Sequence, residues 1–107
     1  MRHDIVLAPS AVRELRALPP YVRAQVQDAL ERHLRHEPTK VSRSRIKRLR
    51  GLEQPQYRLR ISDVRVFYDV AGDRVEVLAV VSKAQADAWL LQEGRLNEEG
   101  GAGEGEG

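Results

Sequence analysis

Residues 43–68 read R-S-R-I-K-R-L-R-G-L-E-Q-P-Q-Y-R-L-R-I-S-D-V-R-V-F-Y. From Tyr57 onward, apolar residues and arginines alternate. Successive strand side chains point to opposite faces, so Tyr57, Leu59 and Ile61 share one face and Arg58 and Arg60 the other. Ser62-Asp63 has the chemistry of a tight turn, and Val64 to Val70 resumes as a second strand carrying Arg65. Ala71-Gly72-Asp73 is a second turn, and Arg74 to Val81 a third strand, apolar on both faces and so expected inside the sheet. Ile46 to Leu49 is a candidate edge strand.

Upstream, His3 to Ala8 is a short apolar run that reads as a first strand, ended by Pro9. Ser10 is placed to cap a helix reaching Leu18, with Val12, Leu15 and Leu18 on one face. Pro19-Pro20 interrupts it, and Pro20 suits the first turn of a second helix extending to His36. Val22, Val26, Leu30 and Leu34 recur at every fourth residue there, giving one buried stripe on a helical hairpin. Downstream, Lys83 to Glu93 reads as a short helix ended by Gly94. The expected architecture is α+β: N-terminal strand, helical hairpin, antiparallel β meander and short C-terminal helix.

The chain has 107 residues, consistent with one domain and one core. Absence of cysteine excludes disulfides, thiolate metal sites and a cysteine nucleophile. No apolar run approaches the ~20 residues of a membrane span and no secretory segment is recognisable, so a cytoplasmic protein with no membrane partner is expected. Residues 94–107 hold four Glu and one Arg, a net of −3, so the formal +2 of the whole chain leaves +5 on residues 1–93. Residues 1–93 are the expected domain. Residues 94–107 read as a disordered Gly/Glu-rich tail that is inert, binds a basic partner or folds back over the arginine face.

Between Lys40 and Arg65 lie nine of the 18 Lys and Arg residues, against Glu53 and Asp63 alone. With 15 Arg and three Lys in the chain, a solvated face is one reading. The other is a polyanion site: helix arginines have acids nearby (Arg13/Glu14, Glu31/Arg35), the strand arginines mostly do not, and uncompensated like charge costs stability. Arginine holds phosphate through five fixed donors, but its pKa above ~12 keeps it from transferring protons. His3, His33 and His36 lie outside the arginine strands. His33 and His36 have helical i, i+3 spacing without further metal ligands, and no metal or other cofactor is expected. Tyr57, Tyr68 and Lys83 remain as candidate proton carriers, although both tyrosines are expected to face the core. Trp89, with Leu90 and Leu91, is expected to dock the last helix on the body.

The run L-R-G-L-E-x-x-x-Y-R-L-R-I-S-D-V-R-V-F-Y-D-V, followed by V-E-V-L-A-V-V, resembles the RelE/ParE superfamily of bacterial type II toxins over roughly residues 3–92. The resemblance implies a small α+β toxin and a cognate antitoxin, acidic and encoded next door, that neutralises it. Its RelE branch implies a metal-independent endoribonuclease that cuts mRNA in the ribosomal A site and so inhibits translation. Arg58, Arg60 and Arg65 match the basic strand positions that clamp phosphate, Lys83 falls near the basic residue ending the last strand, and Tyr68 is a further candidate catalytic residue. Arg43, Arg45, Lys47, Arg48 and Arg50 would contact the nucleic acid. The final segment S-K-A-Q-A-D-A-W-L-L departs from the branch pattern, having no Tyr or His. The ParE branch implies instead a non-enzymatic inhibitor of DNA gyrase. A third possibility is an inactive toxin fold acting in antitoxin binding and operon autoregulation.

Overall fold

The computed structural model describes residues 2–96. The elements run β1 (Asp4–Leu7), α1 (Pro9–Ala17), α2 (Pro20–Leu34), β2 (Ile46–Arg48), β3 (Leu52–Gln54), β4 (Tyr57–Ile61), β5 (Val64–Ala71), β6 (Arg74–Ser82), α3 (Lys83–Glu93) and β7 (Arg95–Leu96). The α+β class and the chain order follow the sequence reading closely.

Prolines set the helical hairpin. Pro9 and Pro20 stand at the first turns of α1 and α2, where no backbone N–H is needed. Leu18, held extended before Pro19, ends α1 (φ −70°, ψ 149°). Pro9 therefore opens α1, where the sequence reading had it end β1. Ala8 occupies the cap, and the Ser10 hydroxyl contacts the Leu78 carbonyl at 3.4 Å. Ala11 and Leu15 face the core, in place of the expected Val12, because the small Ala11 lets α1 lie close on β6. On α2 the expected stripe is buried at Val26, Leu30 and Leu34, with Ala29 beside it.

Five strands form one sheet in the order β1-β6-β5-β4-β2, with β1 parallel to β6 and the other neighbours antiparallel. Ser62-Asp63 closes β4 onto β5, with Ser62 at φ 54°. Gly72, at φ 63°, opens the β5–β6 turn in a conformation that glycine adopts without strain. Within β6 one extra residue intervenes: Phe67 pairs with Ala79 and Tyr68 with Val77, leaving Leu78 as a bulge. The carboxylate of Glu14 accepts from the Val80 N–H at 2.8 Å just beyond it. Glu14 thus serves the sheet, not Arg13 as the sequence suggested.

The sheet has two dressed faces. Leu59, Ile61, Val64, Val66, Tyr68, Val75, Val77 and Val80 pack under α1 and α2. On the second face Phe67, Ala79 and Ala86 form a smaller core with Trp89, Leu90 and Leu49. The Trp89 and Phe67 rings stack at 4.9 Å between centroids and 4° between planes, so Trp89 docks α3 as expected. Toward β4 and β2 that face is open, as it is toward β1, where Val6 is exposed.

The expected tail begins too early. Arg95–Leu96 pair with Leu52–Gln54 as a small separate sheet, and Arg95 stands 3.8 Å from Glu53. Gly94 is extended at φ −70°, not left-handed; it is needed for space, since a Cβ there would meet the Leu90 oxygen at 2.5 Å. Residues 97–107, the remainder of that expected tail, lie outside the described residues. Buried Asp69 pins the loop before β4. Its two oxygens accept from the Gln54 side chain at 2.8 Å and the Gln56 backbone N–H at 2.7 Å, flanking a cis Gln54–Pro55 bond. No helix among the described residues is long and apolar enough to cross a membrane.

Candidate anion-binding face

The β4–β5 register brings the strand arginines together. Arg60 is directly opposite Arg65, and Arg58 is opposite Phe67, so all three guanidinium stems rise from the second face. Lys47 is opposite Arg58 on β2 and joins them. Cross-strand partners stand roughly 4.5–5.5 Å apart at Cβ, so Arg60 and Arg65 are forced into proximity by backbone pairing alone.

Arg65 is the unusual member. It is 7% exposed, and its Nη1 donates to the Ser62 carbonyl at 2.9 Å and the Val64 carbonyl at 3.1 Å. Burial pushes its pKa down, and the charges of Arg58 and Arg60 push the same way, only weakly opposed by Asp63. Arg58 is half-buried, and its Nε lies in the interior with no hydrogen-bond partner. A buried donor without a partner costs on the order of 1–3 kcal/mol. Every ion pair among the described residues lies elsewhere, at Arg32–Asp28, Arg35–Glu31, Lys40–Glu37, Arg74–Glu76 and Arg95–Glu53. The face thus concentrates positive charge, part of it desolvated, with no carboxylate of the described residues in contact. An anion with several acceptor oxygens would satisfy it.

The remaining sequence candidates are distributed differently. Lys83 is exposed at the start of α3, beside the β4–β5 turn, its backbone N–H donating to the Asp63 carbonyl at 2.7 Å. Arg48 turns to the opposite face, 5.1 Å over the Tyr57 ring, and donates to the Gln56 carbonyl at 2.9 Å. It therefore braces the edge rather than joining the arginine face. Arg43, Arg45 and Arg50 are exposed on the flanking loops. Arg45 lines a cavity of about 220 Å³ with Arg32, His33 and Lys40, by the end of α2. Among the histidines, His3 is buried near the Arg35 carbonyl and His36 is exposed. His33 is held below its ordinary pKa by burial and then by Arg45 and Arg32. None of them reaches the arginine strands.

Tyr68, a candidate catalytic residue by sequence, lies away from the arginine face. It is fully buried on the hairpin side of the sheet, stacked on Tyr57 at 5.4 Å, and its hydroxyl donates to the Pro38 carbonyl at 2.6 Å. Strand alternation sends it away from Arg65 and Phe67. Burial pushes its pKa up, with the neighbouring Tyr57 adding to the effect. Its folded-state pKa exceeds that of the unfolded chain, so this contribution to stability is complete below about pH 10 and is lost as the pH rises further. Tyr68→Phe is expected to lower stability by about 1–2 kcal/mol in urea unfolding while leaving polyanion binding at the arginine face unchanged. Loss of polyanion binding by a folded Tyr68→Phe protein would return the residue to the site.

By sequence Ser62 is a turn residue alone. Its positive φ aims its carbonyl at Arg65, which makes the turn a support for the site. A serine where turn chemistry favours glycine was the available signal.

Residues 5–87 match the sequence profile of the family described as ParE toxin of type II toxin-antitoxin system, parDE. No curated protein matches the chain. Among solved structures, the toxin-antitoxin complex RelBE2 from Mycobacterium tuberculosis contains a similar chain, with 25% identity and a TM-score of 0.63 over 77% of this chain and 99% of that one. A mutant of the toxin RelE from E. coli in the free state gives 24% identity and a TM-score of 0.63, covering 83% and 92% of the two chains. The archaeal RelE-RelB complex from Pyrococcus horikoshii gives 23% and 0.60, covering 79% and 99%. With a shared α+β fold and a family match over most of its length, the chain belongs to the ParE toxin family of type II toxin–antitoxin systems, within the RelE/ParE superfamily.

Proposed function

We propose that this toxin is a ribosome-dependent mRNA endonuclease, in which Arg58, Arg60 and Arg65 hold the scissile phosphate. The observation that carries this reading is the buried, acid-free Arg65 fixed by two turn carbonyls beside Arg58 and Arg60. When a ribose 2′-oxygen attacks the adjacent phosphorus and the bond to the 5′-oxygen breaks, negative charge accumulates on the phosphoryl oxygens. Guanidinium groups fixed in advance at those oxygens lower the barrier without reorganising. The described part of this face offers no imidazole or buried carboxyl for proton transfer. The 2′-hydroxyl proton therefore passes to water or to a group of the ribosome, and the 5′-oxygen is protonated likewise. Holding the 2′-oxygen in line supplies much of the remaining rate.

The similar chain in the RelBE2 complex supports a cognate antitoxin as partner. An acidic antitoxin segment would neutralise the toxin by pairing carboxylates with this face. Gyrase inhibition is the second reading, favoured by the ParE description of the family and by the lack, among the described residues, of an imidazole or buried carboxyl beside the arginines. Adding the purified protein to cell-free translation and mapping mRNA 5′ ends by primer extension separates the two. Cuts at fixed codon positions on translated message alone are expected. Intact message, with supercoiling by gyrase blocked in a parallel assay, would replace the first reading with the second.

A further inference from the structure

We propose that the acidic segment after Leu96 docks through Glu104 and Glu106 on the chain's own arginine face and competes there with nucleic-acid phosphate. This rests on the reading of that face as an anion site. Three observations converge on it. The first is demand: Arg65 is buried among like charges, Arg58 has an interior Nε without a partner, and no carboxylate of the described residues contacts either. The second is supply. Residues 97–107 contain Glu98, Glu99, Glu104 and Glu106, no Lys or Arg, and five glycines, so nothing bulky or cationic opposes close approach.

The third is reach. The segment leaves the body at Leu96, which is fixed by pairing with Leu52. From there α3 leads back to the β4–β5 turn, since Lys83 at its start donates to Asp63. The 11 residues of that helix span about 16 Å. Eleven residues of chain could span at most about 36 Å. Glu98 and Glu99 lie too near the anchor to cross that distance, whereas Glu104 and Glu106 can reach the turn with slack. A tether this short gives an effective concentration in the millimolar range, enough for a weak carboxylate–guanidinium contact to be occupied much of the time. A longer polyanion that makes more phosphate contacts displaces it.

The test compares the native chain with the same-length variant E98Q/E99Q/E104Q/E106Q. Arginine Nε–Hε resonances report the contact without any RNA, and fluorescence anisotropy reports binding of a short single-stranded oligouridylate. The expected result is that the Arg58 and Arg65 resonances move in the variant, which binds the RNA about 3–10-fold tighter at low salt, the gap closing as salt is raised. Unmoved resonances overturn the proposal whatever the RNA does. Moved resonances with no RNA binding by either protein keep the intramolecular contact and discard the nucleic-acid reading joined to it.

Discussion

Arg65→Ala is expected to cut mRNA cleavage in translation extracts by about 100-fold or more and to abolish growth arrest, because one preorganised donor to a developing oxyanion is worth about 10²–10³ in rate. The protein should remain folded. One of its two hydrogen bonds goes to the carbonyl of exposed Ser62, where water can replace it, and removing Arg65 relieves repulsion from Arg58 and Arg60. The net stability change should stay within about 1–2 kcal/mol. Arg65→Lys keeps the charge but loses the planar fork that both carbonyls hold, so it should recover only part of the activity. Full toxicity of Arg65→Ala, at unchanged expression, would show that the buried guanidinium has no part in the reaction.

The largest loss of stability is expected from Trp89→Ala. Its ring lies flat on Phe67, which is completely buried, and together they form most of the second core. Truncation should cost about 3 kcal/mol, which for a domain of this size lowers Tm by about 15 °C. Trp89→Phe keeps a ring in the stack and should recover most of that. Because Phe67 is the cross-strand partner of Arg58, loosening α3 also removes one wall beside the arginines. A Tm within about 3 °C of the native value in Trp89→Ala would mean that α3 is held by other contacts.

Much of this was readable from side-chain periodicity. The alternation through Tyr57–Ile61, the short turn at Ser62-Asp63 and its resumption at Val64 place Arg58, Arg60 and Arg65 on one face before any coordinates are known. The same alternation sends Tyr68 to the other side, so its place in the core was implicit in the pattern. What periodicity does not carry is depth. Nothing local distinguishes buried Arg65 from exposed Arg60, because the difference comes from where the turn and α3 lie. The parallel pairing of β1 with β6 and the antiparallel pairing of Arg95–Leu96 with β3 join segments far apart in sequence, with no shared pattern to announce them. Ala11 likewise took the core position of α1 for its small size, which a count of apolar residues overlooks.

The β1–β6 pairing has a consequence for when the protein becomes dangerous to its host. Ile5 is registered with Val75, so the sheet closes a loop of about 70 residues, and this closure must wait for β6 to leave the ribosomal exit tunnel. The helical hairpin can form early from local contacts, but the strands that carry the arginines gain their covering layers only afterwards. A nascent chain whose β6 is still inside the tunnel, or one cut short before β6, would therefore lack the completed sheet that holds the arginines in place.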